Sequence, residues 1–108
     1  MEKLKFDDGL KRYRVGGGVL SFNPSDPAVY QRFLEAVDSL QTMPLADVWE
    51  ADAALRQALS RVFPGCDLAA IFPGNLLAMC GNGKLLIENF LEALEPVLVD
   101  GARRYASQ

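Results

Sequence analysis

The chain has 108 residues, half of them hydrophobic and about a quarter charged, with a formal net charge of −3 and no histidine. That length favours one domain able to bury a core without metals or disulfides. The acidic balance argues against a general nucleic-acid binder, which needs a basic surface to release counterions. The missing imidazoles remove His-based acid–base chemistry, Ser-His-Asp triads and His-ligated metals.

The first third reads as β structure. "KLKF" (3–6) alternates apolar and charged residues, "DDG" (7–9) offers a turn, and "LKRYRV" (10–15) alternates again. In that second run Leu10, Arg12 and Arg14 fall on one side and Lys11, Tyr13 and Val15 on the other, so the inward face stays open. "GGG" (16–18) is a second turn and "VLSF" (19–22) a short strand, giving an antiparallel meander of two to three strands over about 3–22. Lys3, Lys5, Lys11, Arg12 and Arg14 crowd into this region. A charge-blunted sheet edge is favoured over a binding patch.

"NPSDP" (23–27) stops the sheet. Ser25 or Asp26 can cap a helix, and Pro27 suits a first helical turn. Tyr30, Phe33, Leu34, Val37 and Leu40 recur at helical spacing, and Pro44 sets the limit near Gln41. A second helix is predicted over about 44–63. Leu45, Val48, Leu55, Leu59 and Val62 lie on its apolar stripe and Trp49 beside it. Asp52 interrupts that stripe and is read as a rim residue paired with Arg56 one turn on. "PG" (64–65) ends the helix, "CDLAAIF" is a short apolar turn or helix, and "PGN" (73–75) breaks it.

The last helix is predicted to start near Lys84. Leu86, Phe90, Ala93 and Val97 form one stripe; Ile87, Leu91, Leu94 and Leu98 form another beside it. A face this wide is either central to the core or shared with another subunit. Glu88, Glu92 and Glu95 keep the far side polar as a solvated run. Pro96 should kink the helix, and Gly101 is a candidate terminus with Arg103 and Arg104 near the negative end of its dipole. The chain is thus expected to be one α+β domain over residues 1–108, mainly helical, with a β segment at about 3–22 and three to four helices over about 26–106.

Motif by motif, the chemistry is sparse. "CGNGK" (80–84) resembles a phosphate loop only in part. Walker A spacing puts Ala78 where the first glycine belongs and Leu85 where Ser or Thr should hold magnesium. A tight turn opening a helix is the favoured reading, with a weak small-ligand site at Gly81–Lys84 as the rival. "VGGGV" (15–19) lacks dinucleotide spacing and leads into a strand. Asp7 and Asp8 read as turn formers rather than a metal site. Cys66 and Cys80 form no CxxC pair and are read as small buried apolar residues, not as a bridge. No apolar run reaches membrane-spanning length and no secretory h-region follows Met1, so the expected setting is cytoplasmic. No catalytic residue, metal or cofactor is expected, and neither nucleic acid nor membrane as a partner.

Three stretches taken in order give a family resemblance: "FNPSDPAVYQRFLEAVDSL", "RVFPGCDLAAIFPG" and "GNGKLLIENFLEALEPVL". Over about residues 19–100 the chain resembles the small tail assembly chaperones of tailed phages and prophages of Gram-positive bacteria. Where relatives tend to show Phe-Gly steps, this chain has Phe63-Pro64-Gly65 and Phe72-Pro73-Gly74. The resemblance implies a non-enzymatic role in the bacterial host. Such proteins bind the tape measure protein during tail assembly, keep it soluble, help recruit major tail protein and are absent from the finished virion. It also implies that the chain is the short form where a frameshift yields a longer product. A homo-oligomer is expected, and the candidate partner or oligomer surface is Trp49, Phe72, Leu86, Phe90, Leu91, Leu94 and Leu98. The rival to the chaperone is a virion structural or head–tail adaptor protein.

Overall fold

The computed structural model describes residues 3–44 and 47–107. Two antiparallel strands, β1 (Lys11–Val15) and β2 (Gly18–Phe22), are followed by α1 (Pro27–Thr42), α2 (Val48–Val62), the single turn α3 (Leu68–Ile71) and the long α4 (Leu86–Ala106). The fold is α+β and mainly helical. Among the described residues the sheet has two strands, not three: "KLKF" lies outside it, and Lys3–Leu10 form a largely exposed arm ahead of β1.

Register settles the inward face of β1. Lys11 pairs with Phe22, Tyr13 with Leu20 and Val15 with Gly18. Directly opposed residues share a face, so the Lys11–Tyr13–Val15 side faces the core with the buried Leu20 and Phe22. The hairpin turn is Gly16–Gly17, and Gly18 already belongs to β2. These glycines answer to packing as well as to the turn. Gly17 N–H donates to the Ala70 carbonyl, and a Cβ on Gly16 would come within 2.6 Å of the Ile71 carbonyl. The hairpin thus lies directly on α3.

Asp26 caps α1 by accepting from Ala28 N–H at 2.9 Å, with Pro27 at the first position. The buried face of α1 is Val29, Phe33 and Ala36, with Tyr30, Val37 and Leu40 half-buried and Leu34 exposed. The core face is therefore rotated from the stripe of large residues toward the small, buried Ala36. α2 starts at Val48, capped by Asp47, and buries Ala51, Leu55, Leu59 and Val62. Its start is later than the predicted 44, and Leu45 lies outside the described residues. Val48 and Trp49, placed on or beside the apolar stripe, are exposed.

α4 begins at Leu86, where the Glu88 carboxylate reaches back to accept from Leu85 N–H at 3.0 Å. The helix continues through Pro96 and through Gly101, which does not end it. Gly101 is buried inside the helix because the Pro24 backbone crosses there; a Cβ would collide with the Pro24 carbonyl. A run of aromatic edges ties the elements together. Phe22 meets Phe63 at 5.3 Å between centroids, Phe63 meets Phe90 at 6.3 Å, and Phe90 meets Phe72 at 5.0 Å. One cluster of buried residues draws on β2, all four helices and the loop residue Leu76. No helix among the described residues is long and apolar enough to cross a membrane.

Candidate functional site

The seven residues proposed as a partner surface separate into three groups. Phe72, Leu91, Leu94 and Leu98 are buried, Leu98 completely. Leu86 and Phe90 are half-buried against the core. Trp49 alone is fully displayed, at 73% exposure. One of the two apolar stripes of α4, Ile87–Leu91–Leu94–Leu98, therefore faces the core and continues into Gly101, while the Leu86–Phe90–Ala93–Val97 stripe is only partly covered.

The glycine turn at 81–84 is held by its own backbone. Cys80 N–H donates to the Lys84 carbonyl at 2.8 Å and Gly83 N–H to the Cys80 carbonyl at 3.0 Å. The Asn82 side chain accepts Lys84 N–H at 3.1 Å and exchanges hydrogen bonds with Asn89 on α4. The Lys84 ammonium lies 2.6 Å from Glu92. That hydrogen bond and charge raise Lys84 above its ordinary 10.5. Amides of Gly83 and Lys84, which a phosphate would need, are thus engaged in closing the loop. The arrangement is a fastener between the loop and α4.

Among the described residues no group of three or more His, Cys, Asp or Glu side chains converges as metal ligands would. Cys66 and Cys80 are both free thiols and half-buried rather than fully buried. Cys66 packs against the core and its Sγ lies 3.7 Å from the Ser21 carbonyl. Asp52 and Arg56 pair at 2.9 Å as the spacing suggested, and do more than a rim pair. The Asp52 carboxylate accepts Leu76 N–H at 2.8 Å, while Arg56 donates to the carbonyls of Phe72 at 2.9 Å and Gly74 at 2.6 Å.

The seam between α1 and α4, which run antiparallel, is open at both ends. Tyr30 and Leu34 near the start of α1 face Ala102 and Tyr105 near the end of α4. Val37, Leu40 and Gln41 near the end of α1 face Leu85, Glu88 and Leu91 near the start of α4. The second of these ends is a groove of about 410 Å³. Its apolar lining is Val37 and Leu40, half-buried, with the buried Phe33 and Leu91 beneath them, and its α4 rim carries Glu88, Glu92 and Glu95. Of the seven candidate surface residues, Leu91 alone touches this groove. Val37 and Leu40 look like ordinary core positions in the sequence, because helical periodicity fixes which residues share a stripe but not how much of it a neighbour covers. The glutamate run was visible; that it borders an apolar floor follows only from how α1 lies on α4.

No family model, curated protein or solved structure significantly matches this chain.

Proposed function

We propose that this chain is a non-enzymatic tail assembly chaperone of a tailed phage or prophage, acting in the cytoplasm of the bacterial host. It takes an amphipathic segment of the tape measure protein in the α1–α4 groove, and major tail protein is its second partner. The observation that supports this reading is the groove itself, an apolar floor bordered by three glutamates between two helices. It stands beside the resemblance carried by residues 19–100. A groove of this kind suits the apolar face of an amphipathic helix. The rim favours a segment whose polar flank is basic, since complementary charge steers encounter and sets register. A chaperone of this sort needs apolar surface that is reachable in the free protein, and nothing catalytic.

Co-expression with the tape measure protein of the same phage genome tests the proposal. The soluble yield of the tape measure should rise with this chain, and the two should co-purify. Glu92→Lys with Glu95→Lys should weaken that capture, because both side chains are exposed at the rim. No change in tape measure solubility refutes the chaperone reading. Recovery of the chain from purified virions would make it a structural component instead.

A further inference from the structure

The chain carries a second unsatisfied surface, and it is complementary to the first. In the N-terminal arm cation and apolar side chain alternate: Lys3, Leu4, Lys5, Phe6. In extended backbone this places Leu4 and Phe6 on one side and the two lysines on the other. Leu4 is 85% exposed and Phe6 73%, so neither rests on its own chain. The arm leaves the sheet at a defined bend. The Asp7 carboxylate accepts Gly9 N–H at 2.8 Å, and that of Asp8 accepts Leu10 N–H at 3.0 Å.

We propose that residues Lys3–Phe6 of one copy dock in the α1–α4 groove of a second copy, Leu4 and Phe6 on the floor and Lys3 and Lys5 at the glutamate rim. The dimensions agree. Lys3 and Lys5 are about 6.6 Å apart along an extended strand, and Glu88 and Glu92 about 6 Å apart along a helix; the Glu88 carboxylate also accepts Leu85 N–H and that of Glu92 also pairs with Lys84, so the arm lysines share these two carboxylates with contacts inside the chain. Glu95 supplies a further rim charge one turn on. Two such contacts, each arm in the other's groove, close a two-fold dimer. The rival dimer, pairing β1 edge to β1 edge, would bring Lys11, Arg12 and Arg14 of one copy alongside those of the other and is disfavoured by like charge. The arm contact is independent of whether the client is a tape measure protein. An arm seated this way also occupies the client groove.

Sedimentation equilibrium of the full chain tests it, from low to high micromolar concentration and at low and high salt. The expected result is a roughly micromolar dimer that weakens as salt screens the rim. The arm variant Lys3→Glu/Lys5→Glu and the rim variant Glu92→Lys/Glu95→Lys should each be monomeric alone. Mixed, they should form a heterodimer, because both of its arm–rim contacts then pair opposite charges. Leu4→Ala/Phe6→Ala should also be monomeric, and this pair of exposed changes serves if circular dichroism shows the rim variant unfolded. A wild-type chain that stays monomeric, including one whose arm folds onto its own groove, overturns the proposal. So does a dimer that survives the arm substitutions, or a mixture of charge variants that fails to reassociate. None of these readouts involves the tape measure protein, so this proposal and the chaperone reading can fail separately.

Discussion

Asp52 and Arg56, one turn apart on α2, form a 2.9 Å ion pair whose members also grip the loop that follows α3. Arg56 holds the carbonyls of Phe72 and Gly74, and Asp52 holds the Leu76 amide. Leu76 is fully buried, so its N–H has no water to turn to. Asp52→Ala should therefore cost about 1–3 kcal/mol through an unsatisfied amide and an orphaned guanidinium. Arg56→Lys keeps the charge but loses the guanidinium that reaches the carbonyls of Leu68, Phe72 and Gly74, and should cost about 1 kcal/mol. Urea unfolding measures both. An Asp52→Ala chain within about 0.5 kcal/mol of wild type would mean that the clasp is not stabilising.

That clasp marks how far the sequence carries. The i, i+4 spacing already paired Asp52 with Arg56, and the polar break in an apolar stripe flagged the spot. The partners 16 to 24 residues downstream were invisible, because Phe72, Gly74 and Leu76 contribute backbone atoms that leave no mark on side-chain pattern. The same division runs through the fold. Asp26-Pro27, the Pro64-Gly65 stop and the α4 stripes were legible as local chemistry. "KLKF" alternates as a strand should, yet among the described residues it has no partner strand, and alternation alone supplies none. The groove was hidden for the same reason: Val37 and Leu40 declare themselves apolar, and only the placement of α4 decides that they are partly uncovered.

Gly101 offers a test in which two local rules give opposite answers. Helix propensity alone says that Gly101→Ala inside α4 should stabilise by about 1 kcal/mol. The Pro24 carbonyl stands where the new Cβ would go. Both neighbours are backbone-constrained, so the added methyl forces α4 away from the chain that enters α1. Overpacking of this kind costs about 1–3 kcal/mol, and the net expectation is destabilisation. Thermal and urea denaturation of Gly101→Ala decide the sign. A stabilised variant would mean that α4 and Pro24 leave room for the added methyl.

Two of the candidate surface residues, Leu98 and Trp49, should behave oppositely. Leu98 is fully enclosed and Trp49 is 73% exposed. Leu98→Ala removes buried methyl groups and leaves a cavity, a loss of about 2–5 kcal/mol. Trp49→Ala should change stability by no more than about 0.5 kcal/mol. Urea unfolding of the pair, read by circular dichroism because Trp49 is the sole tryptophan, separates them. Equal and large losses would mean that Trp49 is packed and that α2 begins in a different environment.

The last prediction joins the two proposals. If the arm of one copy and a segment of the client use the same α1–α4 groove, self-association and client capture compete. A groove occupied by an arm is withdrawn from the client, and the apparent client affinity falls by the fraction of grooves left open. Releasing the arm should raise it. Leu4→Ala/Phe6→Ala, which leaves the groove intact, should thus capture tape measure protein more strongly than wild type, by up to several-fold at concentrations where the wild type is dimeric. Glu92→Lys/Glu95→Lys should lose both activities, since the rim serves arm and client alike. Titration of a labelled basic amphipathic segment of the tape measure protein against each variant measures this directly. Arm variants that are monomeric but bind the segment no better than wild type would place the client on a different surface, with Trp49 and the exposed start of α2 the next to mutate. Arm variants that bind it worse would make the arm part of the client site rather than its competitor.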